Sequence, residues 1–228
     1  MTLRTNARVA GFAFLLYIAV ALPAMILETR AGKGEGIAEK LANIAQHASQ
    51  LRLAFVLALV GCFCALVLAV TLYAITRDQD PDLAMLGLTC RVAEGVIGAV
   101  SIPSLLEKAW LATAAGADAP DPAAANALGA MLLKMPESSG NMAATFFAVG
   151  STIFACLMLR GRLIPVALAW LGVFASVLTV VCLPLQLIGV LGSPITELMW
   201  MPMLAFEVVL AVWLIVKGVS APPRRQAV

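Results

Sequence analysis

Residues 53–75 read LAFVLALVGCFCALVLAVTLYAI, an unbroken run without a charge. As a helix rising 1.5 Å per residue, such a run is about 35 Å long, enough to cross the roughly 30 Å hydrocarbon core of a bilayer. The flanking sequence repeats the pattern. On the N-terminal side lies Val9 to Leu27, preceded by Arg4 and Arg8 and ended by the polar stretch Glu28 to Gly36. On the other side, after the polar turn Arg77-Asp-Gln-Asp-Pro-Asp82, lies Leu83 to Leu106. Three more runs follow, Met142 to Leu159, Leu163 to Leu183 and Trp200 to Lys217. The reading is an all-α polytopic protein, one membrane domain over residues 1–228 with six transmembrane helices and two short outer amphipathic or interfacial helices.

Composition agrees. Of 228 residues 62% are hydrophobic and only 12% charged, against about half and a quarter in a soluble domain. Six spans and their links leave no sizeable soluble domain. A net charge of +2 without a clustered basic face excludes nucleic acid as a partner. The cysteines Cys62, Cys64, Cys90, Cys156 and Cys182 all lie in apolar runs, where they act as small hydrophobes. With one histidine, His47, and no Cys-x-x-Cys, the usual zinc and haem ligand sets are missing, and no cofactor or metal is expected. Ala21-Leu-Pro-Ala24 gives the first run some likeness to a cleaved secretory signal, but its length and the runs that follow favour a retained span.

Orientation follows from the basic residues. Arg4, Arg8, Arg77, Arg160, Arg162, Lys217, Arg224 and Arg225 fall in short segments on the terminal side, whereas Arg30, Lys33, Lys40, Lys108 and Lys134 fall among acids in the two longer connections. The positive-inside rule then puts both termini in the cytoplasm of a bacterial inner membrane protein. Residues 28–52 and 107–140 face outward. In the first of these, Ile37, Leu41, Ile44, Ala48 and Leu51 recur at spacings of four and three, with His47 among the polar residues between them, which predicts an amphipathic helix. In the second, Asp121 can cap a short helix begun by Pro122 and closed by Pro136. These helices serve either as a lid over an outward cavity or, as amphipathic surface helices commonly do, as interfacial packing.

Charged groups inside a span cost about 2.5–3.5 kcal/mol each on insertion scales, so they face the bundle interior and pair. Three stand out: Arg91 and Glu94, three apart on one face of the third span, and Glu207 in the sixth. Counted from the cytoplasmic ends of their runs, the three lie at about 12, 16 and 15 Å, one level near mid-membrane. Gly87, Arg91, Glu94, Gly98 and Ser101 form a stripe of small and ionic residues that admits a neighbouring helix. Pro103 is expected to loosen the outer end of that helix and leave a carbonyl for a ligand or water. Ser151 and Thr152 in the fourth span are supporting candidates, with Thr145, Ser176, Thr179 and Gln186 as further polar residues at depth; lone hydroxyls usually bond their own helix. One arginine against two glutamates leaves a negative excess, so one carboxyl is expected to hold or share a proton.

Several short strings resemble one family of bacterial membrane proteins, domain of unknown function 4386. They are Asn6-Ala-Arg-Val-Ala-Gly11, Cys90-Arg-Val-Ala-Glu94, Arg162-Leu-Ile-Pro165, and Glu207 followed by Trp213-Leu-Ile-Val-Lys-Gly218, in the same order and over nearly the whole chain. The resemblance implies a six-span architecture and no particular activity. Family members often carry a histidine before or within the fourth span, where this chain has Ser138-Ser-Gly-Asn141. Ala93–Val100 and Phe206–Trp213 also align Glu94 with Glu207, the kind of match an inverted repeat would give, but the other spans show no comparable pairing.

Three functional classes fit. A small carrier or proton-coupled permease would use Arg91, Glu94 and Glu207 as its substrate- or proton-binding residues. An accessory or scaffold subunit would use the same cluster to fix helix packing. An intramembrane lipid-modifying enzyme ranks last, since no catalytic residue set is legible and no span carries a histidine base. The partners implied are membrane lipids and a small-molecule or proton ligand, with a homo-oligomer compatible with the sequence.

Overall fold

The computed structural model describes residues 1–115, 119–191 and 193–220, and describes residues 135–138, 193, 194 and 197 by backbone only. Arg224 and Arg225, counted above toward the orientation, lie outside the described residues. The fold is all-α, with no strand among the described residues. Its helices are α1 (Leu3–Ala31), α2 (Ile37–Gln46), α3 (Ala48–Thr76), α4 (Pro81–Ser101), α5 (Pro103–Thr113), α6 (Pro122–Arg160), α7 (Val166–Leu187), α8 (Ser193–Leu198) and α9 (Trp200–Val216). Among the described residues, five helical segments are long and apolar enough to cross a membrane: α1, α3, α4 with α5, α6 and α7. The apolar α9 has 17 residues.

α1, α3 and α6 extend past their apolar runs at both ends, and several boundaries differ from those read in the sequence. The third run is not one helix. It breaks at Ile102, because Pro103 brings no N–H and its ring crowds the preceding turn. At the break Ala99 O accepts the Ile102 N–H at 3.3 Å, and Ser101 O accepts the Ser104 hydroxyl at 2.7 Å. The short outer helix expected to stop at Pro136 instead continues through that position, so that α6 is a single helix of 39 residues. One proline removes a single donor, and the helix formers on both sides outweigh it. Its start is as expected, with Asp121 Oδ1 accepting the N–H groups of Ala123 and Ala124, both at 2.9 Å.

The chain divides into two compact units. Unit 1 comprises residues 1–16, 64–95 and 143–228. Within it, α7 shows how a membrane helix sorts its faces. Trp170, Phe174, Val177 and Val181, spaced four, three and four apart, are exposed, while Ala169, Gly172, Ala175, Ser176, Thr179 and Leu183 are buried. Large apolar side chains outside and mostly small or polar ones inside, with Leu168 and Leu183 the large exceptions, suit lipid as the surrounding solvent. Small residues set the helix contacts. A Cβ on Gly172 would fall 2.5 Å from the Phe206 ring of α9, and one on Gly11 of α1 2.6 Å from Ile215 Cγ1. The chain leaves α6 through a Schellman turn, in which Leu163 N–H donates to Met158 O at 3.0 Å and Arg162 N–H to Leu159 O at 3.1 Å.

Unit 2 comprises residues 17–63 and 96–142. The amphipathic periodicity of its first connection is divided between two helices at His47, which closes α2. Ile44 and Leu51 enter a core with Ala31, Ala54, Ile102, Leu105 and Ala109. Asn43 Nδ2 donates to Arg30 O at 2.9 Å and Ala31 O at 3.0 Å, tying α2 to the end of α1.

Candidate functional site

Unit 1 holds the three ionisable residues singled out from the sequence. Arg91 is 1% exposed, Glu94 6% and Glu207 7%. The i, i+3 spacing on α4 brings Arg91 Nη1 to 3.0 Å from Glu94 Oε2. That contact is an ion pair without the alignment of a hydrogen bond, and Arg91 Nε and Nη2 meet no hydrogen-bond acceptor among the described residues. Glu207 lies on the buried face of α9, within electrostatic range of both Arg91 and Glu94, and makes no direct ion pair with Arg91. The cluster is therefore one tight pair with a second carboxylate nearby.

The bed of the arginine is built by α6. A Cβ on Gly150 would lie 3.1 Å from Arg91 Cγ and 3.2 Å from Cδ, so only glycine leaves room for the stem without a shift. One turn earlier, Phe147 presents its ring with the Arg91 Cζ 4.6 Å from the centroid, a cation–π contact. Trp200, at the start of α9, stands 6.2 Å from Phe147, centroid to centroid. None of Phe147, Gly150 and Trp200 was singled out from the sequence. The available signal was a small and an aromatic residue three apart on one helix, which is commonplace in apolar runs.

The supporting residues divide. Gly87 lies against Phe154, where a Cβ would come within 3.0 Å of the ring, and it belongs to unit 1 with Ser151 and Thr152. Thr152 Oγ1 donates to Ala148 O at 2.8 Å, within its own helix. Gly98 and Ser101 belong to unit 2, so the stripe read on the third span is shared between the units; Ser101 Oγ donates to Ile97 O at 3.1 Å. Ser176 and Thr179 also bond their own helix.

A second ion pair, in unit 2, escaped the sequence reading because its members are 80 residues apart. Lys108 Nζ donates to Glu28 Oε1 at 2.7 Å, with Lys108 only 4% exposed.

Long apolar helices, a lipid-suited outer face on α7 and buried ionic residues define the class as a helical membrane protein. Within that class the chain belongs to the family described as Domain of unknown function (DUF4386), whose model matches residues 9–218. No curated protein and no solved structure matches it.

Proposed function

We propose that the chain crosses a bacterial inner membrane six times, with α9 as the sixth span and both termini cytoplasmic, and acts as a small carrier or proton-coupled permease centred on Arg91, Glu94 and Glu207. The observation that carries this reading is the buried guanidinium whose Nε and Nη2 meet no acceptor among the described residues. A purely structural lock gains from satisfying every donor, because each unsatisfied buried polar group costs about 1–3 kcal/mol, and more when charged. A guanidinium left with open donors beside two carboxylates is suited to water that relays a proton between them. Proteoliposomes loaded with a pH-sensitive dye test it. The wild type should dissipate an imposed pH gradient faster than empty vesicles, and Glu207→Gln should abolish the difference; unchanged flux in that variant rejects the role.

One observation favours a scaffold subunit instead: the Arg91 stem is packed against Gly150 and Phe147 and nearly inaccessible. On that reading Glu207→Gln shifts thermal unfolding in detergent, and neither protein moves protons.

A further inference from the structure

Unit 2 contains a recess of about 360 Å³, within the roughly 300–1,000 Å³ of small-molecule sites. Its walls are of two kinds. Glu28 and Thr29 of α1, Lys40 of α2 and Lys108 of α5 form a polar rim, while Met25, Ile44, Leu51 and Leu133 are apolar. The Lys108 ammonium has three donors, of which one is directed to Glu28. Lys40 makes no ion pair among the described residues. Two lysines against one glutamate leave the rim with an excess positive charge, directly beside a wall that suits hydrocarbon. The site also sits at the end of the apolar run of α1, where the lipid-compatible stretch gives way to Glu28 and Arg30. Trp110, two residues beyond Lys108 and so on the opposite face of α5, is exposed, as tryptophan is at membrane interfaces.

We propose that this recess binds the anionic headgroup of an acyl amphiphile, with Lys40 and Lys108 holding the carboxylate or phosphate and Met25, Ile44, Leu51 and Leu133 receiving the first carbons of its chain. A zwitterionic headgroup of the same length gains less, because its own cation is repelled by the same lysines. An inorganic anion gains less as well, because the apolar wall gives it nothing. The recess lies wholly in unit 2, so the inference stands apart from the Arg91 centre.

The test uses the full chain in a neutral detergent, with thermal unfolding and calorimetric titration as readouts. Dioctanoyl phosphatidic acid or decanoate should bind saturably and raise the melting temperature, whereas dioctanoyl phosphatidylcholine and inorganic phosphate should not. The tighter of the two anionic probes assigns the source, a membrane phospholipid or a free fatty acid. Lys40→Gln should weaken binding about tenfold, roughly the loss of one charge-assisted hydrogen bond, and Leu133→Trp, which fills the recess, should abolish it. Failure of both anionic probes overturns the proposal. So does equal binding of phosphatidylcholine or of phosphate alone, or wild-type affinity in either variant when it is folded.

Discussion

Gly150 of α6 lies directly under the Arg91 stem of α4, close enough that a Cβ would stand 3.1 Å from Arg91 Cγ and 3.2 Å from Cys90 Cβ. Both neighbours belong to a buried helix contact and neither is the free end of a flexible chain. Gly150→Val should therefore displace the guanidinium from Phe147 and destabilise the fold by about 1–3 kcal/mol, the usual range for overpacking. Thermal unfolding in detergent measures it, and Gly150→Ala should lie between that variant and the wild type.

Breaking the Arg91–Glu94 pair takes from a buried charge the opposite charge 3.0 Å away. Either Arg91→Leu or Glu94→Leu alone should lower stability by about 3–5 kcal/mol, and the two combined should recover most of the loss. A double-mutant cycle on melting temperatures checks the coupling. If the pair belongs to a transport centre, the recovered double variant remains without flux.

The contact of α7 with α9 turns on Gly172, whose added Cβ would stand 2.5 Å from the Phe206 ring. Gly172→Ala should lower the melting temperature, and Phe206→Leu in the same chain should restore part of it, because the smaller side chain vacates the space the methyl takes. Additive losses in the two single variants would show that the helices do not meet there.

Arg162 takes φ 49° at the position of the α6 Schellman turn that glycine usually fills. Its Cβ is strained in that region, and the strain outweighs the extra freedom glycine gives the unfolded chain. Arg162→Gly should raise stability by about 0.5–1 kcal/mol, read as a higher melting temperature.

The apolar runs were legible because lipid imposes a composition on any helix that crosses it. The Arg91–Glu94 pair was legible too, since the i, i+3 spacing of a helix fixes it locally. What the string hid was of two kinds. Continuity through Pro136 depends on the balance of helix formers on both sides of the residue, and at Pro103, where a loosened helix end was legible, the string did not show that the helix stops altogether. Tertiary partners such as Phe147 for Arg91, or Glu28 for Lys108, lie 56 and 80 residues from their mates, and nothing local in the sequence marks them.

The brevity of α9 affects the surrounding lipid. Its 17 residues make about 26 Å of helix, short of a hydrocarbon layer of about 30 Å. On the six-span reading, the bilayer must thin locally to meet it, at a cost of fractions of a kcal/mol per Å. Glu207 sits seven residues from one end of that helix and nine from the other, so thinning shortens its path to water on both sides. On the carrier reading, reconstitution into thinner, shorter-chain lipids should then raise the proton flux.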